Sequence, residues 1–146
     1  VFFVNEDERS TTVDKIATEL LNVTTPDLIA ISKLPEDAYC AVATYASSSQ
    51  PNVYTSAVAV IRAENPSLLR LSCIHEEIAQ ALGLANDSPQ ARPSIFNDDD
   101  EFALLTNHDE ILLKMLYDQR LQSGMSLSEA KSIIRALANE ATQGPS

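Results

Sequence analysis

Residues 74–87 read IHEEIAQALGLAND. Within them Glu77 follows Glu76, Gln80 lies one helical turn after Glu76, and Gly83, Asn86 and Asp87 come next. On a helix, side chains at i and i+4 aim at one point. A glycine after them lets the chain turn back, and a glutamate beside the first can take a proton from a metal-bound water. This is the spacing of a metal-dependent hydrolase, but the residue types depart from it. Glu76 and Gln80, with Asn86 after the glycine, offer one carboxylate and two neutral amides, whereas zinc sites favour imidazole and thiolate. The pattern predicts no zinc, and Glu77 as general base only if the site is active. A set of oxygen donors suits a hard cation such as calcium or magnesium better, with Asp87 and Asp98, Asp99 and Asp100 adding charge, although the spacing is not that of an EF-hand. The plainest alternative is an amphipathic helix. Glu76, Glu77 and Gln80 would form its wet face and Ile74, Ile78, Ala81 and Leu82 its apolar face, with Gly83 as its stop.

Other chemistries find less support. No Ser/His/Asp order and no glycine-rich phosphate loop is present. His75 and His108 read as surface residues rather than a ligand pair. The 146 residues carry a formal charge of −11, which repels nucleic-acid backbones and anionic membrane surfaces. No apolar run approaches the ~18–20 residues of a membrane-spanning helix. Cys40 and Cys73 form no CxxC, and from the residues alone they fit a disulfide or two buried thiols equally.

The elements that must position the site can be read in order. VFFV at residues 1–4 has the pattern of a buried strand with no strand before it to pair with. Val1 in place of an initiator Met suggests a cut end, with a first strand and helix missing. Val13, Ile16, Ala17, Leu20 and Leu21 recur at helical spacing behind Thr11 as N-cap, and Pro26 closes that unit. DLIAISKL at 27–34 fits either a short helix or a strand. AYCAVATY and VYTSAVAVIRA read as an antiparallel hairpin across the loop ASSSQPN. The site helix is expected at about 74–83, a turn and long loop at 84–105, and helices at about 107–118 and 126–141, capped by Thr106 with Asp109 and by Ser126 with Glu129.

The site stretch, together with residues 88–117 after it, resembles the metzincin zinc peptidases. Laid on that pattern, Glu77 and Gly83 match the general base and the turn glycine. Ser94-Ile95-Phe96 occupies the Met-turn position, with Phe96 in place of the methionine. Leu105-Thr106, Asp109 and Leu116-Tyr117 match the closing helix of matrix-type members. The resemblance implies a zincin-like α+β fold over 1–146 as one domain, with a small antiparallel or mixed sheet packed on helices and a degenerate site at Glu76, Gln80, Asn86 and Asp87. Over nearly the whole chain, CIHEEIAQALGLANDS, RPSIFNDDDEFALLT and HDEILLKMLYD also resemble a bacterial domain family of unknown function whose members include candidate lipoproteins. That resemblance implies export to the periplasm or cell envelope, or secretion, with a lipid anchor on the full-length precursor, and favours a Cys40–Cys73 disulfide. The expected function is a non-catalytic binding or envelope role without a cofactor, for an unidentified protein or peptide partner. The alternative is a metal-dependent hydrolase or peptidase with Glu77 as general base.

Overall fold

The computed structural model describes residues 1–19, 23–35, 37–97 and 102–143. Among them the chain is α+β, with a three-stranded mixed sheet and five helices. It forms two compact units, Val1–Asn86 and Asp87–Ser146.

The first unit is built on β3 (Gln50–Arg62), whose residues Val58, Ala59, Val60 and Ile61 are buried in succession. Four consecutive buried residues in a strand require a covering layer on each face of the sheet. Strand β1 (Phe2–Val4) pairs with β3 in parallel, Phe2 opposite Val60. The strand expected to lack a partner before it thus finds one downstream. Strand β2 (Cys40–Ser47) pairs with β3 antiparallel, Cys40 opposite Ile61, giving the order β1-β3-β2. The expected hairpin forms, but its loop shrinks from 46–52 to a turn at 48–49. Pairing continues past Tyr45 through two register shifts. These leave Pro51, which has no N–H to donate, out of the register pairs.

On one face of the sheet Val4, Tyr45, Val58 and Val60 pack with Ile16 of α1 (Arg9–Glu19), and Leu28 of α2 (Thr25–Ser32) joins them. The other face carries Cys40 and Ile61 and takes α3 (Ser67–Ala81), which contacts β2 and β3. A disulfide joins Cys40 to Cys73 across this face, with the Cα atoms 5.9 Å apart. The Tyr45 phenol, desolvated and beside the Asp27 carboxylate, is pushed up to about 12.

Three local expectations change. Helix α1 begins at Arg9, ahead of Thr11, because the Asn5 side chain accepts the Glu8 amide at 2.9 Å and starts the turn earlier. Leu20 and Leu21 lie outside the described residues. Pro26 opens α2 rather than closing α1: it sits in the first turn, where the missing N–H is not needed. The Asp27 carboxylate accepts from the Thr24 amide at 3.1 Å and its hydroxyl at 2.5 Å. The DLIAISKL stretch is therefore helical.

Two arginines fasten the irregular link between α2 and β2. Arg62 donates to the carbonyls of Leu34, Pro35 and Ala38, and the buried Arg9 also donates to Leu34. Both arginines pair with Glu6. Sharing acceptors, they hold the β1–α1 turn, the α2–β2 link and the end of β3 together.

The second unit contains α4 (Asn107–Leu116) and α5 (Leu127–Gln143). Both expected caps form: Thr106 with Asp109, and Ser126 with Glu129. Arg120 bridges Asp118 and Glu140, fastening the end of α4 to α5.

The disulfide closes a sequence separation of 33. Replacing it by Cys40→Ser/Cys73→Ser is expected to lower the unfolding free energy by about 3–4 kcal/mol on the loop-entropy account, as read from urea melts. Alkylation of unfolded, unreduced protein should add no mass, and two added alkyl groups would refute the bond.

Candidate functional site

The site helix is longer than its periodicity suggests. It starts at Ser67 rather than near 74, so the LLRLS stretch forms its first turns. Pro66 supplies an extended N-cap. Arg70 reaches back to the carbonyls of Ala63 and Asn65 at 3.0 and 2.8 Å, closing the turn from β3. At the other end the Gly83 amide bonds to Gln80 O at 2.9 Å and the Leu84 amide to Ala79 O at 3.1 Å. This is a Schellman stop, with Gly83 at φ 118, a conformation a β-carbon would clash with.

The disulfide decides which side of this helix is inside. Cys73 is 1% exposed, and Glu77, one turn later on the same side, is 5% exposed. Glu76 and Gln80 flank them and are half-buried. The reading of Glu76, Glu77 and Gln80 as a wet face is therefore overturned for Glu77, and the companion apolar face is overturned at Ile78 and Leu82, which are exposed. A covalent tie at Cys73 fixes the rotation of the helix more firmly than the aliphatic side chains on its far side can. Asn65, also buried, donates to Tyr39 O and toward Cys73 Sγ and so packs against the tie.

The structure thus brings Glu76, Glu77 and Gln80 together on one side of α3, while Asn86 and Asp87 are exposed beyond the turn. Asp98, Asp99 and Asp100, the additional calcium candidates, lie outside the described residues. Among the described residues no three His, Cys, Asp or Glu side chains form a group that could hold a metal ion. The donor set of Glu76, Gln80 and Asn86 does not fit zinc, since two of the three groups are amides. His75 and His108, expected at the surface, are both half-buried. His108 Nδ1 is buried with no hydrogen-bond partner among the described residues.

In the second unit the polar centre is Asp109, which is fully buried. One oxygen accepts the Ser94 hydroxyl at 2.5 Å. The other accepts the Ile95 amide at 3.1 Å, the Thr106 amide at 2.8 Å and the Thr106 hydroxyl at 3.0 Å. The single Thr106 hydroxyl proton is shared between that oxygen and Pro93 O at 2.8 Å, and the Ser88 amide donates to Phe96 O. Ser94, Phe96 and Asn97 are buried. The SIF segment, which reads as loop, is thereby wired to the first turn of α4. Burial raises the carboxyl pKa of Asp109, but hydrogen bonds from Ser94, Thr106 and Ile95 to the charged form outweigh it and hold it below its ordinary value. The sequence marks Asp109 only as a capping residue; its second task of holding Ser94 and Ile95 links positions 15 and 14 residues apart, and no local pattern reports that.

Because the folded state depresses this pKa, the stabilisation from Asp109 is present above the ordinary carboxylate range and is lost as pH falls through the folded value. Asp109→Asn is expected to cost about 2–4 kcal/mol at neutral pH, since the introduced amide faces existing donors. It should also flatten the acid limb of a stability–pH curve. A cost below about 1 kcal/mol would mean the loop is held by other contacts.

No curated protein and no solved structure matches the chain. A family model does match, over residues 1–136, and its description is a protein of unknown function. The chain belongs to the DUF2927 family.

Proposed function

We propose that this chain is an exported, zincin-like domain that keeps the frame of a metzincin peptidase site, has lost its metal ligands, and serves in binding at the cell envelope rather than in catalysis. The observation that carries this reading is the bonding of Ser94 and Ile95 to Asp109 beside the Thr106 cap. The resemblance to the peptidases requires the segment at the Met-turn position to meet the closing helix, and these residues join them. The Gly83 stop at the turn-glycine position adds to it. A single family model running from residue 1 to 136 supports treating both compact units as one functional domain.

Export is supported by the Cys40–Cys73 disulfide, a bond that persists in oxidising compartments such as the periplasm. No helix among the described residues is long and apolar enough to cross a membrane. Attachment would then rest on a lipid anchor of a longer precursor. The partner is a protein or peptide, met where the half-buried Glu76 and Gln80 and the exposed Asn86 reach the surface at the C-terminal end of α3, with Glu77 buried behind them. No cofactor takes part.

A second reading, a metal-dependent hydrolase with Glu77 as general base, draws on one observation: Glu77 is buried, as a carboxylate tuned for proton transfer would be. Metal analysis separates the two. Protein purified without chelator is expected to carry no stoichiometric metal, and zinc or calcium should leave its melting temperature unchanged. One tightly held ion per chain would sink the binding-only reading. Gln80→His/Asn86→His tests the inherited frame separately. If the geometry is kept, zinc at a hundredfold excess over its dissociation constant should stabilise this variant by about 2.7 kcal/mol. A variant indifferent to zinc would mean that α3 and its turn do not aim at a common point.

A further inference from the structure

The side of α3 turned away from Cys73 carries Leu68, Leu71, Ile78 and Leu82, which are 60, 41, 40 and 44% exposed. With His75 between them the positions alternate i+3 and i+4 along the helix, the repeat by which one helix lies along another. This seam is held stiffly. The disulfide fixes the helix rotation and the Schellman turn fixes its end.

Two further properties say what can cover it. The first is charge. Both carboxylates of α3, Glu76 and Glu77, lie on the Cys73 side, and the accessible residues bordering the seam are Ser67, Ser72, Ile74 and Ala81, while Ala79 is buried. On a chain of formal charge −11, two copies repel across most approaches, and a face without carboxylates is where they can meet at least cost. The second is area. Four half-exposed aliphatic side chains make a patch on the order of 300 Å², the lower end of the size at which the largest apolar patch of a monomer is often functional. Two such patches remove about 600 Å², and the bordering side chains bring the total toward the roughly 1,000 Å² at which specific interfaces begin. That is enough for a weak, reversible pair and short of an obligate one.

We propose that a second copy of this chain docks on the Leu68–Leu71–Ile78–Leu82 face, α3 against α3 across a two-fold axis. The same patch then serves both partners, and His75, at the middle of the seam, meets its counterpart near the axis. The dimer stands independently of any role for Glu77.

Sedimentation velocity on the full chain over a wide concentration range tests it. The expected result is a mass that rises from one copy toward two and an association that strengthens with added salt, because screening relieves the repulsion between acidic surfaces. Leu71→Glu/Ile78→Glu, both at exposed positions, should leave the melting temperature unchanged and weaken the dimer by about tenfold or more, because it places like charges across the seam. Under oxidation, His75→Cys should form a disulfide-linked dimer, a readout that holds even if the glutamate pair disturbs the fold. A protein that stays monomeric to its solubility limit overturns the proposal. So does a dimer indifferent to the two glutamates or one that fails to crosslink through His75→Cys, because another face then makes it. A monomer that instead binds neutral lipid vesicles through this stripe overturns it as well.

Discussion

A helix laid on a sheet can in principle roll about its own axis. In this protein the roll of α3 is set by one covalent bond from Cys73 to the first residue of β2. Much of the first unit depends on it. Glu77 is carried inside because it lies one turn from Cys73, although a carboxylate is costly to desolvate. Four aliphatic side chains are left outside because they lie on the far side. Burial of these aliphatic side chains would be better served by the opposite roll, so the tie overrides it. It also explains why Asn65 and Arg70, both in or beside the β3–α3 turn, spend their hydrogen bonds on nearby backbone: the turn must deliver Cys73 at the height of Cys40.

The second unit is organised by a different force. Among its described residues only Phe96 and Leu137 are buried apolar side chains, while Ser94, Asn97 and Asp109 are buried polar ones. A carboxylate that accepts four hydrogen bonds does here what aliphatic packing does around Ile16 in the first unit. Such an anchor is directional and fixes a loop conformation more sharply than apolar contact does, but it depends on the ionised state.

What is legible in the sequence is mostly local. The caps at Thr106 and Ser126, the stop at Gly83 and the pairing of AYCAVATY with VYTSAVAVIRA each rest on residues close in the chain, and each forms. Pro26 reads as an end because a proline just inside a helix start and one just past a helix end look alike until the Thr24–Asp27 box is noticed. The wet and apolar faces expected of α3 rest on hydropathy alone, which knows nothing of a crosslink. The roles of Arg9 and Arg62 are not legible at all: their acceptors are carbonyls 25 and 28 residues away, and a carbonyl leaves no mark in a sequence. The candidate site is legible only in part: the spacing of Glu76 and Gln80 puts them on one side of α3, whereas the burial of Glu77 has no mark in the sequence.

The parallel pairing of β1 has a kinetic side. Its partner residues begin at Val60, far along the chain from Phe2, whereas β2 and β3 are joined by a tight turn. Closing a long loop for a three-residue strand returns few contacts for the entropy lost, so β1 can gain little until the hairpin already stands. The order of assembly is then written into the topology: hairpin first, β1 last, with the Glu6 bridge to Arg9 and Arg62 acting as the latch that ends the search. During synthesis VFFV is an exposed apolar segment until the hairpin offers it the open edge of β3, and such a segment is prone to aggregate while it waits.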